Sequence, residues 1–223
     1  MKAMILAAGF GSRLRPLTDT TPKPLLQVGG KPLLQYHLQR LAAAGITDIV
    51  INISWLAEKI EDYFGDGSHF GVNIDWSREA QPLETGGGIA NALPLLGSEP
   101  FLLINGDVWT DFPLHSISLD QDADAYLVMV ANPEHNPSGD FAVANSLVSY
   151  DAGPKYTFSG ISLFRPQLFA GFKEGCFPLR DVMRPAILSG RVTGAVYTGQ
   201  WWDIGTVERL TQLNNNLNKA EPK

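Results

Sequence analysis

Apolar residues recur along this chain in two alternating rhythms. Apolar-rich segments read as strands at residues 2–8, 48–53, 71–76, 101–104 and 125–131. Between them the apolar positions fall three or four apart. Leu34, Leu38 and Leu41 share one face of a predicted helix over residues 32–44, which Gly45 ends. Leu56, Ile60 and Phe64 do the same over residues 55–64, with Ser54 as the expected N-cap. A short helix is expected after the glycines at 86–88, running to Pro94. The run at 101–104 reads as a central parallel strand covered on both faces, and it stops at Asn105-Gly106-Asp107. Strand–helix alternation of this kind predicts an α/β fold with a mostly parallel sheet and right-handed crossovers.

The second half is less regular. Residues 140–144, 156–164 and 191–197 read as strands, the first two as candidate antiparallel additions to the sheet, and residues 179–188 as a helix despite Pro185. Leu210, Leu213 and Leu217 mark a closing helix at 206–217. No linker-like tract or internal repeat interrupts the 223 residues, so one domain is expected over 1–223.

Charge changes this picture locally. The chain is acidic, with a net charge of −6, which argues against nucleic acid as the main partner. Residues 1–31 nevertheless hold Lys2, Arg13, Arg15, Lys23 and Lys31 against Asp19 alone, a net of +4, leaving −10 for the rest. One cysteine, Cys176, excludes an internal disulfide framework and fits a reducing cytoplasm. No segment approaches the roughly 20 apolar residues of a membrane helix, so no membrane association is expected.

The concentrated cations surround a glycine loop. Gly9 and Gly11 follow the first strand, and without a Cβ their backbone can approach a phosphate closely. The loop is neither a Rossmann fingerprint, since Leu14 stands where the third glycine belongs, nor a P-loop. A plain turn remains the alternative. Arg13 offers a planar fork for phosphate oxygens, and Lys23 a point charge. Pro22 and Pro24 are expected to hold Lys23 on a stiff extended backbone.

Asp107 and Asp203 both fall where a strand ends, at the sheet edge where open α/β proteins bind ligands. Converging there, they would suit Mg²⁺ together with substrate phosphates; a turn contact and a cap are the plainer readings. Gln81 has an amide that can pair with uracil or thymine, and the glycines from Gly86 let a loop lie against base or ribose; a flexible loop is the alternative. The histidines His37, His69, His115 and His135 show no metal spacing and read as structural or exposed.

In this order, the motifs resemble the sugar-1-phosphate nucleotidyltransferases. They are Leu-Ala-Ala-Gly-x-Gly-x-Arg-Leu-x-Pro-x-Thr at residues 6–18, Pro-Lys-Pro at 22–24, Gly-Asp at 106–107, Phe-Ser-Gly at 158–160 and Trp-x-Asp-x-Gly-Thr at 201–206. The resemblance implies a Rossmann-like three-layer sandwich, a Mg²⁺ cofactor, and transfer of a nucleotidyl group from a nucleoside triphosphate to a sugar 1-phosphate. It divides the chain into a nucleotide-binding part over about 1–110, a sugar-binding part over about 111–205 and a closing helix over about 206–218.

Residues 132–141 and 156–160 resemble members that transfer UMP from UTP to N-acetylmuramate 1-phosphate in peptidoglycan recycling. Thymidylyl or guanylyl transfer to glucose or mannose 1-phosphate is the enzymatic alternative, and a nucleotide-sensing subunit the non-enzymatic one. The expected protein is a monomer or small homo-oligomer, too short for the C-terminal β-helix of many relatives.

Under this resemblance Ala8, Gly9, Gly11, Ser12, Arg13, Lys23, Gln81 and Gly86 bind the nucleotide, and Arg13 and Lys23 act on the reacting phosphates. Asp107 and Asp203 hold the metal. Asn105, Asp140 and Gly160 meet the sugar, with Lys155 a candidate for its lactyl carboxylate. Many relatives carry Glu-Lys-Pro before the Ser/Thr-Gly step, whereas residues 150–155 here read Tyr-Asp-Ala-Gly-Pro-Lys, so other residues must hold the sugar.

Overall fold

In the computed structural model, residues 1–172 and 175–220 are described. The strands in chain order are β1 (Ala3–Leu6), β2 (Gln27–Val28), β3 (Lys31–Pro32), β4 (Asp48–Ile53), β5 (Asn73–Arg78), β6 (Phe101–Asn105), β7 (Val108–Thr110), β8 (Ala125–Val130), β9 (Phe141–Ala144), β10 (Leu147–Ser149), β11 (Lys155–Phe164), β12 (Val192–Tyr197) and β13 (Trp201–Asp203). The helices are α1 (Leu17–Thr20), α2 (Leu33–Ala43), α3 (Ala57–Phe64), α4 (Glu84–Leu96), α5 (Leu179–Leu188) and α6 (Val207–Ala220).

Nine strands form one sheet in the order β5-β4-β1-β6-β11-β8-β12-β10-β9. Strands β5, β4, β1 and β6 run parallel, as the alternation predicts. Strand β11 lies antiparallel between β6 and β8, so β6 is central but parallel on one side only. The period-2 pleat sorts the core onto two faces. Ala3, Ile5, Leu102 and Ile104 pack with Leu34, Leu38 and Leu41 of α2 and with Ile60 and Phe64 of α3. Met4, Phe101 and Leu103 pack on the other side with Ile89 and Ala92 of α4 and with Val182 and Met183 of α5. The result is a helix–sheet–helix sandwich of the expected class.

A third cluster closes the ligand edge. Leu210 and Leu213 of α6 pack with Leu14, Leu26, Val28 and Ile204, tying the last helix to the loops after β1. Asn214 accepts from the Gly29 N–H at 2.8 Å, which fixes α6 to the β2–β3 turn. No helix among the described residues is long and apolar enough to cross a membrane.

Three local expectations are corrected. Ser54 does not cap α3: the helix begins at Ala57, and Leu56 at φ 51° occupies the cap position. Helix α4 does not wait for the glycines to pass. It starts at Glu84, contains all three of them and runs through Pro94 to Leu96. The glycines are needed for packing there, since a Cβ on Gly87 would lie 2.0 Å from the Gly175 carbonyl and one on Gly86 2.6 Å from the Phe177 ring. Lys23 is not on extended backbone; it opens a 3-10 turn over Lys23–Leu25, in which Leu26 N–H bonds the Lys23 carbonyl at 3.1 Å. Pro24 is tolerated because the first turn of a helix needs no N–H from that position.

Candidate active site

The carboxyl ends of β1, β4 and β6 open onto a cavity of about 410 Å³. The glycine loop forms one wall. Gly11 takes φ +64°, and Thr18 Oγ1 donates to its carbonyl at 2.9 Å, holding the bend. A Cβ on Gly9 would meet nothing within 4 Å, so this glycine leaves open space rather than relieving a clash. The N–H groups of Gly9, Phe10 and Gly11 donate to no other described residue. Unpaired successive amides of this kind favour an anion.

The cations separate by role. Lys23 Nζ donates to Asp107 Oδ2 at 2.8 Å, with Lys23 well covered and Asp107 half-buried. Burial pushes the Asp107 carboxyl up, but the Lys23 charge and hydrogen bond, helped by a backbone hydrogen bond and the Arg13 charge, bring it below its ordinary value. Arg13 lines the cavity without an ion-pair partner among the described residues. The other cations of the N-terminal cluster do not take part. Arg15 pairs with Asp19 at 3.1 Å, Lys2 donates to the Leu95 carbonyl at 2.6 Å, and Lys31 lies over the Tyr36 ring.

Asp203 reaches Asp107 through the β7–β13 pairing, where Asp203 stands opposite Val108 and Ile204 N–H bonds the Asp107 carbonyl at 2.8 Å. Arg209 Nη1 donates to Asp203 Oδ2 at 2.8 Å, and His135 Nε2 lies 3.1 Å from the same oxygen. The other oxygen, Oδ1, is buried with no partner among the described residues. An orphaned carboxylate oxygen, on a segment hydrogen-bonded to the backbone of Asp107, suits a hard divalent cation. No group of three or more metal-ligating side chains exists among the described residues, so phosphate oxygens would have to complete such a site.

A buried network that sequence reasoning missed steadies the far wall. Ala7 N–H donates to Asn52 Oδ1 at 2.8 Å, Asn52 Nδ2 donates to Glu79 Oε1 at 2.7 Å, and Leu83 N–H donates to Glu79 Oε2 at 2.9 Å. The segment carrying Gln81 is thereby tied to the end of β1. Asn52 was legible as a polar break in an apolar strand; Glu79 gave no comparable signal. Glu79→Ala orphans Asn52 Nδ2 and the Leu83 N–H, and should cost about 2 kcal/mol. Urea unfolding checks the loss, and a raised KM for the nucleotide should accompany it.

A second cavity of about 840 Å³ adjoins the first, and Thr85 and Asn105 line both. Asn105 Oδ1 is buried with no partner among the described residues. Gly160, at φ +79° in the β11 irregularity, makes room for it, since a Cβ there would lie 2.7 Å from Asn105 Nδ2. Asp140 lines the second cavity, although its oxygens already accept from Asn136 Nδ2 at 3.1 Å and the Phe158 N–H at 2.8 Å.

Of the residues singled out from sequence, Ala8, Gly9, Gly11, Ser12, Arg13, Lys23, Asn105 and Asp107 line the first cavity. Gln81 is exposed beside Pro82, which does line it, while Gly86 is buried under Phe177. Gly160 lies behind Asn105 and Asp203 behind Gly205, and Lys155 lines neither cavity.

Residues 2–147 match the model of the nucleotidyl transferase family. The chain belongs to that family. It is 52% identical to the N-acetylmuramate alpha-1-phosphate uridylyltransferase of Neisseria meningitidis serogroup B, over 95% of this chain and 96% of that protein. It is 32% identical to the protein of the same name from Caulobacter vibrioides, over 98% and 97%. A Bacillus anthracis crystal structure in complex with a sucrose has the same fold, with a TM-score of 0.86 at 24% identity over 100% of this chain and 97% of that one. The nucleotidyltransferase thus has the nucleotide-diphospho-sugar transferase architecture, and it is an enzyme.

Proposed function

We propose that this enzyme transfers the uridylyl group of UTP to N-acetylmuramate α-1-phosphate, giving UDP-N-acetylmuramate and pyrophosphate in cytoplasmic peptidoglycan recycling. The observation that carries the reading is the Lys23–Asp107 pair beside Asn105, the residue shared by the cavity under the glycine loop and a second, larger one. The identity of base and sugar is supported by the end-to-end similarity to two proteins of that name.

The nucleophile is a phosphate oxygen of the sugar 1-phosphate, already anionic at pH 7, so no general base is required. The chain's task is to bring two polyanions together and align in-line attack on the α-phosphorus. The amides of Gly9, Phe10 and Gly11, with Ser12, cradle the triphosphate. Arg13 holds the β- and γ-phosphates and stabilises the departing pyrophosphate. Lys23 spends one N–H on Asp107 and keeps two for the α-phosphate and the incoming phosphate.

Asp107 and Asp203 are the residues that would hold Mg²⁺, which when bound supplies positive charge at the α-phosphate. The Ala8 backbone and Gln81 face the uracil, and the packing of Gly86 against Phe177 sets the angle of that segment. Asn105 meets the sugar, Gly160 supports Asn105, and Asp140 braces the sugar cavity through its two internal bonds.

The test is steady-state pyrophosphate release with Mg²⁺ over a matrix of UTP, dTTP and GTP against N-acetylmuramate, N-acetylglucosamine and glucose 1-phosphates. The highest kcat/KM is expected for UTP with N-acetylmuramate 1-phosphate. A preference for glucose 1-phosphate would overturn the sugar assignment and leave the reaction class standing.

A further inference from the structure

The second cavity is walled by rings and by one helix face. Phe141 and Tyr150 pack with ring centroids 5.6 Å apart, and α5 presents Arg180 and Arg184 one helical turn apart. Both arginines are exposed, but they differ in their partners. Arg180 has Asp181 at 3.7 Å, with both side chains exposed. Arg184 has no carboxylate within ion-pair distance among the described residues, and its guanidinium lies 6.0 Å from the centroid of the Tyr150 ring. A cation–π contact at this distance favours a guanidinium over the ring while leaving its N–H fork free. The cavity's other carboxylate, Asp140, is committed to Asn136 and the Phe158 N–H, so it does not neutralise Arg184.

An oriented arginine without a counter-ion, in a cavity that adjoins the phosphate site through Asn105, is matched to an anion on the acceptor. That anion is separate from the phosphate, which Lys23 and Arg13 serve in the first cavity. We propose that Arg184, propped on Tyr150, receives a carboxylate carried by the sugar and thereby selects a carboxylated sugar 1-phosphate over a neutral one with the same ring. This rests on the acceptor reading above, because N-acetylmuramate is N-acetylglucosamine with a lactyl ether whose carboxyl is ionised at pH 7. It also reassigns the carboxylate contact from Lys155, which lines neither cavity.

The experiment compares wild type, Arg184→Met and Arg184→Lys on N-acetylmuramate 1-phosphate, its lactyl carboxamide and N-acetylglucosamine 1-phosphate. Arg184→Met should lower kcat/KM for N-acetylmuramate 1-phosphate roughly 10- to 100-fold, chiefly through KM. Activity on the two neutral acceptors should stay within twofold of wild type, and Arg184→Lys should recover part of the loss. Equal losses on charged and neutral acceptors, or no loss on either, would overturn the proposal. A wild type with no preference for N-acetylmuramate over N-acetylglucosamine 1-phosphate would instead overturn the acceptor assignment, and this inference with it.

Discussion

Asp107→Asn and Lys23→Ala are each expected to lower kcat by roughly 10²- to 10³-fold with the fold intact. The two side chains form one unit, joined at 2.8 Å at the carboxyl end of β6. Asparagine keeps the volume and an acceptor oxygen but loses the charge that a cation and the Lys23 ammonium both require. Alanine at 23 removes the donor aimed at the reacting phosphates and leaves Asp107 without the partner that keeps its carboxyl low. Both sites border a cavity rather than the core, so circular dichroism should change little, and Tm should fall only by what the Lys23–Asp107 pair contributes. A variant within threefold of wild-type kcat would remove that residue from the mechanism.

The second large effect is on acid stability. His37 on α2 is 1% exposed, and burial, with the nearby Arg40 charge, holds its pKa down at about 4; the Gly106 backbone and the Asp107 charge oppose this and are outweighed. The unfolded chain therefore binds a proton near the ordinary value of 6.5 that the folded chain refuses until about pH 4. In that window the unfolded state holds more protons, so stability falls as the pH is lowered. The loss attributable to His37 amounts to roughly 3 kcal/mol between pH 6.5 and 4.

Asp107 acts in the same direction at lower pH. Its depressed pKa contributes stability that is present above the ordinary carboxylate value and is lost as pH falls through the folded one. Urea midpoints of wild type and His37→Gln, measured at half-unit steps from pH 7 to 4, separate the two contributions. The variant should be less stable at pH 7 yet nearly flat between pH 6 and 5. An unchanged slope would assign the acid sensitivity to other groups.

The core of the sheet was legible because β1, β6 and β8 are apolar throughout or nearly so and the other strands are rich in apolar residues. Residues 48–53 are read from the sequence with the observed bounds, and the alternation of Ala3, Met4 and Ile5 between the two cores follows from the pleat alone. The antiparallel direction of β9 and β11 was expected from the break in strand–helix alternation after residue 131, but the insertion of β11 between β6 and β8 was not legible, because an apolar strand does not name its neighbours. Local grammar failed where tertiary contacts override it. Leu56 is held at positive φ at the start of α3, and glycines that would weaken an isolated helix sit inside α4 because Gly175 and Phe177 press against them.

The phosphate side of the site was readable for a related reason. Arg13, Lys23 and Asp107 are charged residues beside glycine and proline in short motifs. The residues that orient them come from distant segments. Arg209 and His135 converge on Asp203, Asn52 and Glu79 brace Ala7 and Leu83, and Arg184 meets Tyr150 across the second cavity. Each of these contacts is made by the fold, and apart from Asn52 in its apolar strand and Asp203 in its motif, the partners carry no local signature.

The fate of the α-phosphorus of UTP decides between uridylyl transfer and hydrolysis. The enzyme would be incubated with Mg²⁺, UTP labelled at that phosphorus and N-acetylmuramate 1-phosphate, and the products resolved chromatographically. Label is expected in UDP-N-acetylmuramate, with unlabelled pyrophosphate released in equal amount. Label appearing in free UMP, or transfer that occurs with glucose 1-phosphate but not with N-acetylmuramate 1-phosphate, would contradict the proposed transfer.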